Sequence, residues 1–132
     1  MSFLIDTDIC SAYLRNNSRV FSRFVQYGGQ LQVSVITLAE LAVWIRRGAS
    51  AIARTQRVQQ LSRLAPAVAI DAAIADKFGE VRASQLAVGQ LTPPMDLLIA
   101  ATALVHNLTL VTHNVRHYAS VPGLRVVDWL AP

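Results

Sequence analysis

The sequence predicts an α/β fold with a mostly parallel central sheet flanked by helices on both faces. Two observations carry that prediction. Short apolar segments at residues 3–5, 31–35, 68–70, 108–112 and 124–127 alternate with longer stretches of helical periodicity. The connections between successive strands are also too long for hairpins, so neighbouring strands are expected to run parallel. At 132 residues the chain is the size of one domain with a substantial core, and 1–132 is read as a single unit without internal repeats or linkers.

Each element has its own local cause. Phe3-Leu4-Ile5 is an apolar run stopped by Asp6-Thr7-Asp8, as a buried strand stops in a polar turn, and a helix follows to about Arg15. Asn16-Asn17-Ser18 breaks the pattern. A short helix with Val20, Phe21, Phe24 and Val25 inward comes next, closed by Gly28-Gly29. Residues 31–35 alternate as a strand and hand over at Thr37 to a helix running to about Arg47 and ended by Gly48. Ile52, Val58, Leu61 and Leu64 mark a further helix, antiparallel to its predecessor across the short Gly48 connection. After a short strand at 68–70, Asp71 opens a helix to about Ala87. Residues 89–94 form a loop, and Asp96 begins an apolar helix ending near His106-Asn107. Residues 108–112 form a strand, a polar loop with Asn114 and Arg116 follows, and 124–127 make an edge strand before Trp129.

Composition narrows the function classes. Just over half the residues are apolar and 15% are charged, which suggests a surface covered by a partner. The net charge of +4 is carried almost wholly by arginine, with Lys77 the single lysine. Guanidinium forks suit phosphate, so nucleic acid is a plausible partner, although arginine can also merely solvate helix faces. Cys10 is the only cysteine, which excludes an internal disulfide and a cysteine metal site and fits the cytoplasm. The N-terminal apolar run is far shorter than a secretory signal, and residues 97–105 fall well short of the ~20 needed to span a bilayer.

Of eight acidic residues, Asp6, Glu40 and Asp96 fall at or just after strand-to-helix or loop-to-helix junctions. Open parallel sheets bind ligands at such carboxyl ends. A purely structural account exists for each: Asp6 or Asp8 as a helix cap, Thr37-x-x-Glu40 as a capping box, Asp96 as a cap after Pro93-Pro94. Three carboxylates meeting at one sheet end would repel unless a cation joined them. Oxygen-only ligands select magnesium or manganese over zinc. His113 and His117, four apart, would form a metal pair only on a helix and are read as exposed loop residues; Glu80 is read as a solvated charge.

Four blocks carry a family resemblance: Phe3-Leu4-Ile5-Asp6-Thr7-Asp8, Ser34-Val35-Ile36-Thr37-Leu38-Ala39-Glu40-Leu41, Pro94-Met95-Asp96-Leu97-Leu98-Ile99-Ala100-Ala101-Thr102-Ala103, and Leu110-Val111-Thr112-His113-Asn114-Val115-Arg116-His117-Tyr118. In order, and over essentially the whole chain, they resemble the PIN-domain ribonucleases, specifically the VapC toxins of bacterial toxin-antitoxin pairs. The resemblance implies a Mg2+- or Mn2+-dependent endoribonuclease that hydrolyses tRNA, rRNA or mRNA by metal-activated water. It implies a homodimer inhibited by a cognate antitoxin. By role, Asp6 and Asp96 would be inner ligands, Glu40 a ligand or a holder of water, Thr112 a hydroxyl contact, and Arg116 a phosphate contact or loop organiser.

The chain departs from the family pattern at Asn114, where relatives often have a fourth acid, so a second metal site should be weak; Asp8, often an amide in relatives, restores part of the charge. Trp44 with Arg46-Arg47 is first a packing surface and second a candidate antitoxin or RNA contact. Two other classes compete. An Asp6-Thr7-Asp8 turn also begins phosphoaspartate phosphatases and receivers, but these need a lysine at a strand end, and Lys77 lies within a predicted helix. A catalytically weak PIN-like binding module is kept open by Asn114 and opposed by the intact Asp6, Glu40 and Asp96.

Overall fold

The computed structural model describes residues 1–132. Its order is β1 (Phe3–Ile5), α1 (Thr7–Leu14), α2 (Ser18–Gln26), β2 (Leu31–Ser34), α3 (Val35–Arg46), α4 (Ala51–Leu64), β3 (Ala67–Val68), α5 (Ala72–Val88), α6 (Pro94–Val105), β4 (Thr109–Val111), a 3-10 turn (Val115–Tyr118) and β5 (Val126–Val127). The five strands form one sheet in the order β3-β2-β1-β4-β5, and every pairing is parallel. The predicted α/β class is thus borne out.

Period-two alternation along the central strands divides the interior. Phe3, Ile5, Leu31, Val33 and Val111 face one core, built with Ile9 and Cys10 of α1, Phe24 of α2, Leu41 of α3 and Leu61 of α4. Leu4 and Leu110 face the other, built with Val81 of α5 and Leu97, Ile99 and Ala103 of α6. Helices therefore cover both faces. No helix is long and apolar enough to cross a membrane.

Several local expectations are corrected. Phe21 and Val25, expected inward, are 54% and 68% exposed, because only Val20 and Phe24 of α2 reach the core. Ile52 and Leu64 are likewise exposed, leaving Val58 and Leu61 as the buried stripe of α4. β3 begins one residue earlier than expected, at Ala67, where it pairs with Val33. The third helix starts at Val35 with Ser34 as its cap, the Ser34 hydroxyl accepting from Ile36 N, so Thr37 lies inside the helix. The capping-box account of Thr37 and Glu40 is thereby removed. Asp96 is not a cap either: Pro93 holds that position and Asp96 lies in the first turn. Asp71 does cap its helix, accepting from Ile74 N at 3.0 Å.

The chain builds β1, β2 and β3 in one direction and then returns to place β4 and β5 on the other side of β1. The crevice at the carboxyl ends of β1 and β4 is the switch point where open parallel sheets bind ligands. Asp6 follows β1 and Thr112 follows β4, and Asp6 N donates to Val111 O at 2.9 Å across that crevice.

Candidate active site

Asp6 sits at the end of β1 because the apolar run before it is buried strand, and it caps α1, its Oδ1 accepting from Thr7 N at 2.8 Å. The capping account and a site role are compatible, since the single bond from Thr7 N leaves Oδ1 a second lone pair. Oδ2 accepts from the Thr112 hydroxyl at 2.8 Å and from the Tyr118 hydroxyl at 2.8 Å. Only 5% of Asp6 is exposed. Burial first, and the neighbouring Asp8 carboxylate second, push its carboxyl up to about 6 from the ordinary 3.8, while the three hydrogen bonds hold it down. Tyr118 is buried, and its phenol is pushed far above its ordinary value by burial and by the charges of Asp6, Asp96 and Asp8.

Asp8 follows in the first turn of α1. Its carboxylate accepts from Ile9 N at 2.8 Å and from His113 N at 2.9 Å, so it ties α1 to the loop after β4. Thr112 Oγ1 lies 3.4 Å from Asp8 Oδ2, against 2.8 Å from Asp6 Oδ2, and its single proton belongs to the shorter bond. Thr112 also accepts from Asn114 N at 3.1 Å, which shapes the loop.

Glu40 reaches the site from the exposed face of α3, accepting from the Thr7 hydroxyl at 2.6 Å, and Thr7 lies 3.0 Å from the buried Thr37 hydroxyl. Glu40 is therefore tethered through the residue that follows Asp6. Asp96, from the first turn of α6, pairs with His117 Nδ1 at 2.8 Å. The remaining ion pairs are Lys77–Glu80 and His113–Asp128, so no arginine or lysine neutralises Asp6, Asp8, Glu40 or Asp96.

Asn114 and Arg116 are exposed at the rim, and the Arg116 guanidinium makes no hydrogen bond that would organise the loop. With His117, the partner of Asp96, and with Gln90 and Pro93 it lines an open cavity of about 380 Å³. His113 and His117 are exposed as expected, yet each is bound to a carboxylate, and to different ones, so they are not a metal pair. Glu80 is an exposed partner of Lys77. Trp44 lies under the Arg54 guanidinium, 4.7 Å from its ring centroid, and Arg54 also donates to Trp44 O, so packing is its first role.

Sequence reasoning missed Tyr118 and His117 as members of the site. The available signal was only their place at the end of a block already singled out; nothing local to Tyr118 points 112 residues back to Asp6. No three of the chain's His, Cys, Asp and Glu side chains stand as a finished ion cage. The donor chemistry nevertheless fits a hard divalent cation: every candidate ligand is a carboxylate or amide oxygen, and the charge of the Asp6–Asp8 pair is balanced by neutral donors alone.

Parallel strands with carboxylates across the switch point define a class of α/β domain, and the match to known proteins names it. Residues 3–123 match the PIN domain family, and the chain belongs to that family. It is similar to the tRNA(fMet)-specific endonuclease VapC of Shigella flexneri, 30% identical over 98% of each chain. It is also 30% identical to ribonuclease VapC2 of Haemophilus influenzae, over 98% of this chain and 99% of that one. Among solved structures, DNA-bound VapBC from Salmonella typhimurium superposes with a TM-score of 0.92, at 27% identity over 98% of each chain. Ribonucleases of the family generally depend on a divalent metal.

Proposed function

We propose that the chain is a divalent-metal-dependent endoribonuclease acting as the toxin of a toxin-antitoxin pair, hydrolysing phosphodiester bonds in tRNA, rRNA or mRNA. The observation that supports this reading is a linked set of carboxylates about the β1–β4 switch point, Asp6 bound to Thr112, Asp8 to the loop after it and Glu40 to Thr7, none of them, nor Asp96, with a lysine or arginine partner. Relatives named as ribonucleases and endonucleases support it. Likeness to the Salmonella VapBC structure, and to a toxin-antitoxin complex from Klebsiella pneumoniae, supports an antitoxin as partner.

In this reading Asp6 and Asp96 are ligands of Mg2+ or Mn2+, and Glu40 is a ligand or positions water. Such an ion supplies activation of water and neutralisation of charge at the phosphodiester. The chain's own residues do the rest. Thr112 and Tyr118 hold Asp6, Asp8 holds the loop that carries Thr112, and His117 holds Asp96. Arg116, which lines a cavity together with His117, would meet an RNA phosphate. The cytoplasm, where RNA and antitoxin meet the toxin, is the site of action, and a homodimer is the assembly.

A single gel tests the function. Purified protein is incubated with defined transfer RNAs and total RNA, with Mg2+ or Mn2+ and with excess chelator, beside Asp6→Asn and Asp96→Asn. The expected result is cleavage that requires the metal and falls about 100-fold or more in either variant, each of which keeps the folded circular dichroism spectrum. Wild-type turnover by either variant removes that residue from the mechanism. RNA retention without cleavage in any lane favours a binding module, the reading Asn114 keeps open.

A further inference from the structure

Tyr118 stands apart from the other groups at the site because it is apolar in bulk, buried, and polar at one atom. It closes the 3-10 turn Val115–Tyr118, and its ring packs in the core beneath α5 and α6 with Leu97, Leu110 and Val121. Only 2% of the residue is exposed. A buried phenol needs a hydrogen-bond partner, and the one it has is Asp6 Oδ2 at 2.8 Å. The packed ring therefore fixes where the hydroxyl is, and the hydroxyl fixes the carboxylate.

A carboxylate oxygen offers two lone-pair positions. On Oδ2 of Asp6 both are taken, one by Thr112 and one by Tyr118, each at 2.8 Å. On Oδ1 one is taken, by Thr7 N at 2.8 Å, and one is left. We propose that Tyr118 is a positioning residue for the metal site: with Thr112 it occupies Oδ2, so that Asp6 offers a cation one oxygen, Oδ1, and one ion only. An aspartate held in this way can neither chelate with both oxygens nor bridge two ions through them. Asn114, which adds no charge across the crevice, provides no anionic second site to offset that restriction. The inference rests on the reading of Asp6 as a metal ligand.

Titration of the full-length wild type with MnCl2, followed calorimetrically, tests it alongside Tyr118→Phe and Asp6→Asn. The Phe variant keeps the ring and deletes only the donor, and its melting in chelator checks that the fold survives. The expected result is one Mn2+ per chain for the wild type, no measurable binding by Asp6→Asn, and binding about 10- to 100-fold weaker by Tyr118→Phe. A purely structural tyrosine would leave the affinity of the folded variant unmoved. Wild-type affinity in Tyr118→Phe, with binding lost in Asp6→Asn, overturns the role of Tyr118 and leaves the ligand reading standing. Undiminished binding by Asp6→Asn overturns the ligand reading and this inference with it. Two tight Mn2+ per wild-type chain overturns the single-ion restriction whatever the variants do, and needs no variant to fold.

Discussion

Asp6 joins two demands that ordinarily conflict, since it follows a buried strand, itself 5% exposed, and yet carries a charge that a bound cation would use. Burial and the charge of Asp8 raise its carboxyl to about 6, and three neutral donors keep it from rising further. The stability consequence has a definite sign. Because the folded value lies above the unfolded one of 3.8, the folded state holds this proton more tightly. The stabilising contribution is complete below pH 4 and is lost as pH rises through about 6. In chelator, Asp6→Asn should therefore gain on the order of 2–3 kcal/mol relative to wild type between pH 4 and pH 7, measured by urea denaturation at each pH. A difference between the two proteins that stays flat across that window would show that burial does not strain the charge. Asp6, Glu40 and Asp96 are picked out by residue type and by position at junctions beside apolar segments, whereas Asp8, Thr112 and Arg116 come from the family resemblance. Tyr118 and His117 are not, because a hydroxyl buried against an acid, or an imidazole turned onto Asp96, depends on side chains that meet only after folding.

Element boundaries follow from caps where the cap is local, and shift where packing intervenes. Ser34 starts α3 three residues before Thr37, and its hydroxyl bond to Ile36 N overrides the capping-box spacing seen further on. Gly89 ends α5 in the left-handed conformation, φ 72°, where the loop at 89–94 is expected to begin. Between α5 and the site runs a polar contact that helical periodicity does not disclose. Gln85 is 1% exposed, donating to the Thr92 and Ser120 hydroxyls and accepting from Thr92 N and Arg82. It thereby joins α5 to the loop before α6 and to the segment just past Tyr118. Gln85→Ala should cost roughly 2–3 kcal/mol in chemical denaturation, because truncation leaves buried donors and acceptors without partners. A cost below about 0.5 kcal/mol would mean that water replaces those bonds.

At the scale of the molecule, the order β3-β2-β1-β4-β5 brings the ends of β1 and β4 together, so an ion bound at the switch point would couple to folding. Mn2+ at about a hundred times its Kd should raise unfolding free energy by roughly 2.7 kcal/mol, read as an increase in melting temperature that Asp6→Asn abolishes. An equal increase in that variant would place the stabilising ion elsewhere. The α/β class, the parallel sense of the strands, and the placing of acids just beyond apolar runs were determined by the sequence alone. Periodicity, punctuation by Gly, Pro and Asn, and connection length act within a few residues or a single crossover. Tertiary structure alone decided which faces of α2 and α4 are buried, that Glu40 is tethered through Thr7, and that Tyr118 and Thr112 close over one oxygen of Asp6. Those contacts join segments far apart in the chain. They are selected by how two cores pack on opposite faces of one sheet, a global condition that no local pattern encodes.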